Sequence, residues 1–156
     1  MNAIELFFDT IRKGLNDRLI AQIENNPEVV NNKDSRGFTP LIFATYFYNK
    51  RAAEILLGHN ANIDAKDASG NTALIGVSFK GNLELVKLLI TNDANINAIN
   101  NNGATALLFA TMYNQVEIVK LLLDNGADKS ITDAKGKTAL DYALEKQLNK
   151  IVKLLE

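Results

Sequence analysis

From residue 37 onward glycine returns every thirty-three residues, at Gly37, Gly70, Gly103 and Gly136. Threonine keeps the same step two positions later, at Thr39, Thr72, Thr105 and Thr138, and leucine follows at Leu41, Leu74, Leu107 and Leu140. A second apolar block closes each unit: Ala53-Glu54-Ile55-Leu56-Leu57, Leu85-Val86-Lys87-Leu88-Leu89, Ile118-Val119-Lys120-Leu121-Leu122 and Ile151-Val152-Lys153-Leu154-Leu155. A period of this length is the mark of a stacked repeat, in which each unit is one supersecondary element.

The unit can be built from its residues. A turn such as Lys66-Asp67-Ala68-Ser69-Gly70 needs a residue at positive φ, which glycine supplies without a Cβ clash. The threonine that follows is placed to cap a helix with its hydroxyl, and Pro40 takes the first helical position, where no amide donor is missed. Small residues at Ala44, Ala110 and Ala143 let neighbouring first helices approach. The second helix buries positions such as Leu85, Val86, Leu88 and Leu89 and keeps Glu84 and Lys87 outside. Asn60, Asp93 and Gly126 end these helices, each able to adopt the left-handed conformation. Two short helices with one apolar seam each cannot bury that seam alone, so the units must stack.

These residues closely resemble the ankyrin repeat, from about Asp34 to Glu156, with a degenerate unit before it. The resemblance implies an all-α ankyrin-repeat solenoid forming one domain over residues 1–156. Residues 1–33 read as an N-terminal cap, 34–66, 67–99 and 100–132 as full repeats, and 133–156 as a C-terminal cap. Two departures matter. The family's Thr-Pro-Leu-His becomes Thr39-Pro40-Leu41-Ile42, Thr72-Ala73-Leu74-Ile75, Thr105-Ala106-Leu107-Leu108 and Thr138-Ala139-Leu140-Asp141. In the family that histidine hydrogen-bonds neighbouring turns, and its loss predicts less rigid loops. The glycine between the paired helices survives only as Gly81, with Tyr48, Asn114 and Gln147 in its place elsewhere. Gly76, inside a first helix, costs about 1 kcal/mol against alanine and marks that helix as the most labile interior one.

Seventeen basic against eighteen acidic residues leave a net charge of -1, without the cationic excess that phosphate backbones demand. Nucleic acid is therefore not the expected partner. The absence of cysteine excludes disulfides, thiolate catalysis and cysteine-ligated zinc, and suits a reducing compartment. Met1 to Lys13 carries Glu5 and Asp9 among its apolar residues and reads as a helix and not a signal peptide. No stretch approaches the ~20 apolar residues of a membrane span, so the expectation is a cytoplasmic monomer that engages no membrane. Asparagine is abundant at expected turns, a surplus that a compositionally biased genome explains as well as any function.

Catalysis needs a nucleophile with a base, a paired acid and base, or a ligand cluster. The lone histidine, His59, lies near a helix end and builds neither a relay nor a metal site. Asp64, Asp67 and Asp133 recur where turns need a side-chain acceptor. No enzyme, metal site or cofactor is expected. The family resemblance carries the inner surface onto the finger turns and the C-terminal part of each first helix. Tyr46, Phe79 and Met112 then share one register, and Phe47 and Tyr113 occupy the next. With Phe38 they are the candidate anchors for a partner protein, and Arg36, Lys80 and Lys135 are the rim. The same rings can instead stack on one another and complete the core. Within binding, the role is that of an adaptor or inhibitor, with a neutralising immunity or antitoxin protein as the alternative.

Overall fold

Thr39, Thr72, Thr105 and Thr138 each accept an amide three residues on, from Ile42, Ile75, Leu108 and Asp141 at 3.1, 3.3, 3.2 and 3.2 Å. Each cap starts the first helix of a pair, as the threonine register predicts. The computed structural model describes residues 1–156, and its regular structure is helical throughout. The first unit contributes α1 (Ala3–Arg12), α2 (Asn16–Asn25) and a 3₁₀ turn at Pro27–Asn31. Four further pairs follow: α3 (Pro40–Tyr46) with α4 (Lys50–Gly58), α5 (Ala73–Lys80) with α6 (Leu83–Thr91), α7 (Ala106–Met112) with α8 (Val116–Asp124), and α9 (Ala139–Glu145) with α10 (Asn149–Leu155). Helices α1, α3, α5, α7 and α9 pack each on the next. The second helices form the other layer, and one continuous hydrophobic cluster runs between the layers from Phe7 to Leu155.

Every turn between paired helices uses a left-handed residue: Gly14, Tyr48, Gly81, Asn114 and Gln147, at φ of 69, 56, 84, 55 and 57°. The first unit therefore retains the inter-helix glycine, as Gly14, thirty-four residues before Tyr48 instead of thirty-three. The sequence reading, which counted Gly81 alone, missed it because the N-terminal unit is out of step. Asn60, Asp93 and Gly126 are also left-handed, at φ 67, 64 and 91°.

The loops are tied together despite the missing histidine. Asn31, Asp64 and Asn97, one repeat apart, accept the amides of Asn62, Asn95 and Asp128 in the following loop, each at 2.8 Å. The side chains of Asn62, Asn95 and Asp128 in turn accept the amides of Asp64, Asn97 and Ser130 at 3.1, 3.1 and 2.9 Å. This ladder supplies partners to backbone donors that no helix satisfies. It gives four of the asparagines, Asn31, Asn62, Asn95 and Asn97, a structural role and supplies loop-to-loop bonds in the absence of the histidine.

Candidate functional site

The finger turns set the edge of the groove. Asp34, Asp67, Asn100 and Asp133 stand at one register, and each accepts two amides of its own turn through Oδ1. Those amides belong to Arg36 and Phe38 (3.0 and 2.9 Å), Ser69 and Asn71 (2.9 and 3.0 Å), Asn102 and Ala104 (2.9 and 3.0 Å), and Lys135 and Lys137 (2.9 and 3.1 Å). Burial pushes the carboxyl of Asp34 up, but the Phe38 amide and the Arg36 side chain and amide outweigh it and hold it below its ordinary value. At Asp133 burial is likewise outweighed, by the Tyr142 hydroxyl and the Lys137 and Lys135 amides. The carboxylates at this register are turn-formers, as the sequence indicates. His59 stands exposed at the end of α4, its Nδ1 2.8 Å from the Ile55 carbonyl.

Between the fingers and the ends of the first helices lies the aromatic strip. Tyr46, Phe47, Phe79 and Tyr113 expose 54%, 42%, 40% and 52% of their surface. Their rings nevertheless lean on one another. Phe47 meets Phe43 at 4.8 Å and Tyr46 at 5.1 Å between centroids, and Phe43 in turn meets the buried Phe8 at 5.1 Å. Phe79 meets Tyr113 edge-on at 4.4 Å and Phe109 at 6.1 Å. The rings thus pack on one another and also stay partly open to solvent.

The cations are placed by the same rings. Lys80 Nζ lies 3.6 Å from the Tyr46 centroid and 4.9 Å from that of Tyr48, and donates to the Tyr46 carbonyl at 3.0 Å. The Arg36 guanidinium lies 5.0 Å from the Phe38 ring centroid and 5.7 Å from that of Phe43. It also donates to Asp34 through Nε and Nη2 at 3.1 and 2.8 Å.

Of the nine residues singled out from the sequence, Arg36, Phe38, Tyr46 and Phe47 line one hollow. Phe38, Tyr46, Phe79 and Lys80 line a second beside it, and Tyr113 joins through Phe79. Two residues fall outside this group. Met112 is half-buried, packed against the core. Lys135 is exposed on the last finger and lines neither hollow. Sequence reasoning missed Tyr48, 52% exposed beneath Lys80; its place as the stand-in for an inter-helix glycine marks it in the sequence only as a turn residue. It also missed the supporting rings Phe43 and Phe109, which stand two repeats apart at one register.

No three His, Cys, Asp or Glu side chains converge to hold a metal ion, and no helix is long and apolar enough to cross a membrane. Fingers, stacked helix pairs and ring-lined hollows between them define a repeat solenoid. The family model for ankyrin repeats (3 copies) matches residues 8–100 and 75–156. The chain belongs to the ankyrin repeat family, whose members are generally protein-interaction modules. Comparison with curated proteins finds no match.

Proposed function

We propose that this chain is a cytoplasmic, monomeric adaptor or inhibitor that grips a partner protein in its groove and catalyses no reaction. Phe38, Tyr46, Phe47, Phe79, Met112 and Tyr113 are the proposed anchors and Arg36, Lys80 and Lys135 the rim, with residues 1–33 and 133–156 as caps to three full repeats. The observation that carries this reading is the exposure of Tyr46, Phe47, Phe79 and Tyr113 on one face while their neighbours hold them in position. Contiguous exposed apolar surface marks interaction sites, and aromatic anchors dominate binding energy where they occur. Rings already fixed by neighbours lose little side-chain entropy when a partner arrives.

The test is affinity capture from the native organism on the wild-type chain and on a Phe47→Glu, Tyr113→Glu double variant, with mass spectrometry and a Kd for the captured protein. Loss of one central aromatic anchor costs about 2 kcal/mol or more, roughly thirtyfold in Kd. Each substitution also removes two aromatic pairs, so stability falls by about 1–3 kcal/mol per site while the unfolding transition stays cooperative. Undiminished capture by the double variant overturns the groove reading and moves the binding surface to the finger tips.

A further inference from the structure

Position 76 is where the groove departs from its own pattern. One repeat before it stands Phe43, and one and two repeats after it stand Phe109 and Tyr142. Each of these rings precedes the strip positions of its helix by three and four residues, so it lies on the same helical face. Phe43 supports Phe47, and Phe109 supports Phe79 and packs beside Tyr113 at 6.5 Å. Gly76 supports nothing, and the strip divides there into two groups, Phe8–Phe43–Phe47–Tyr46 and Phe79–Phe109–Tyr113. The gap is a hollow of about 200 Å³ lined by Gly76, Val77, Phe38, Tyr46, Phe79 and Lys80.

Neither of the usual structural reasons for a helical glycine applies. Gly76 is not among the residues at positive φ. A Cβ added to it meets no neighbouring atom within 4 Å, so no helix approaches closely enough to require its absence. Alanine would favour the helix by about 1 kcal/mol. A local cost with no structural return, placed on the groove face, is the pattern expected of a functional position.

We propose that the Gly76 hollow is a socket for one aromatic or long aliphatic side chain of an acidic partner segment, with a carboxylate beside that side chain paired to Lys80. The inference rests on the groove-binding reading and specifies its partner. The hollow is smaller than the ~300–1,000 Å³ of small-molecule sites, which suits a single side chain. Its walls, Tyr46 and Phe79, share one register; Phe79 packs on the ring of the next repeat, Phe109, whereas the position that would hold such a ring for Tyr46 is Gly76. Charge complementarity selects the acid. Lys80 takes part in none of the chain's ion pairs, and only one of its three donors is committed, to the Tyr46 carbonyl. Arg36 is already paired with Asp34. Asp67 also lines the hollow, but from the finger before α5, whereas Lys80 is the last residue of that helix. The acid of the partner therefore belongs at the Lys80 end.

A library of random displayed peptides, selected on the folded wild-type chain, tests this. The selected peptides should share one Phe, Leu, Met or Trp next to Asp or Glu. A synthetic copy should shift the amide resonances of residues 76–80, and its Kd should rise about tenfold or more with Gly76→Phe, which fills the socket from within. Gly76→Ala should bind nearly as wild type. Lys80→Gln should weaken binding and remove most of its salt dependence. Gly76→Phe restores the ring found in neighbouring repeats, so its melting temperature should not fall; if that variant does not fold, Gly76→Leu and the resonance map on the wild type decide. Peptides that bind Gly76→Phe as well as wild type but lose affinity to the Phe47→Glu, Tyr113→Glu variant overturn the socket and leave the groove reading standing. Failure to select any peptide, or selection of peptides indifferent to both variants, overturns both. Apolar peptides without an acid overturn the pairing with Lys80.

Discussion

Alanine at Gly70 should destabilise the stack far more than alanine at Gly37, although the two glycines occupy the same place in successive fingers. Their φ values, +79° and +87°, both lie in the left-handed region, where an L-residue with a Cβ costs roughly 1–2 kcal/mol. At Gly37 the new methyl would sit 3.4 Å from Ala68 Cβ, an ordinary contact. At Gly70 it would sit 2.7 Å from the backbone nitrogen of Asn101 and 2.4 Å from its Oδ1, so the next finger must withdraw. That finger is bound through Asn101 N to the Ser69 carbonyl and through Nδ2 to the Ala68 carbonyl, both at 3.1 Å. Losing both adds about 1–3 kcal/mol. The expected cost is thus about 1–2 kcal/mol for Gly37→Ala and about 2–5 kcal/mol for Gly70→Ala. Equilibrium urea unfolding reads the difference from the midpoints if the slope is unchanged. Equal losses at the two positions would refute the reasoning, because backbone strain would then account for everything and the finger-to-finger contact for nothing.

Asp64→Ala removes the acceptor for the Asn95 amide and should cost about 1 kcal/mol and speed exchange of that amide, while Asp64→Asn keeps both near wild type. Helix α5 should exchange its amides from Leu74 to Phe79 faster than α7 does from Leu107 to Met112, because Gly76 weakens it locally; slower exchange by mass spectrometry would mean that packing outweighs propensity. Stability should fall at both pH extremes through the bond from the Tyr142 hydroxyl to Asp133. Asp133 is held below 3.8, so its contribution is complete above that value and lost as pH falls below it. Tyr142 is pushed from 10.0 up to about 12, chiefly by its bond to Asp133 and then by burial, so its contribution is lost as pH rises from 10 towards 12. Tyr142→Phe should flatten both limbs of a melting-temperature profile against pH, and limbs left unchanged would contradict the assignment.

What could be read in the sequence was whatever repeats with a fixed chemical purpose. A threonine before a helix and an aspartate opening a turn do the same work in every unit, so four copies of Thr39's register and of Asp34's sufficed to place caps and fingers. The exposed ends of the first helices were legible for the same reason. Features that join one repeat to the next were harder. The ladder through Asn31, Asp64 and Asn97 pairs each side chain with an amide thirty-one residues away, a spacing fixed by how loops overlie one another and not by the period itself. Met112 shares the register of Tyr46 and Phe79, yet it is half-buried against the core where the two rings are exposed. Gly76 was visible as a weak helical residue; its meaning required knowing that the space beside it stays empty.

The placement of that weakness bears on how a groove of this kind can work. In a stack where each unit is stabilised by itself and its neighbours, a missing ring at position 76 loosens α5 and its contacts with α3 and α7. The fingers on either side do not share the loss, because Asn101 and Asn100 fasten the third finger to the second through the Ser69 and Ala68 carbonyls and the Asn71 side chain. Lys80 closes the other end by reaching back to Tyr46. In the proposed complex the walls of the socket are therefore held at both ends while its floor lacks a ring. A side chain entering there supplies to α5 the contacts that Phe43 and Phe109 supply to their own helices, so binding and the ordering of α5 are one event. Ligand-dependent protection should then be larger at α5 than at α3 or α7, a distribution that a partner resting only on the outer faces of Tyr46 and Tyr113 would not produce.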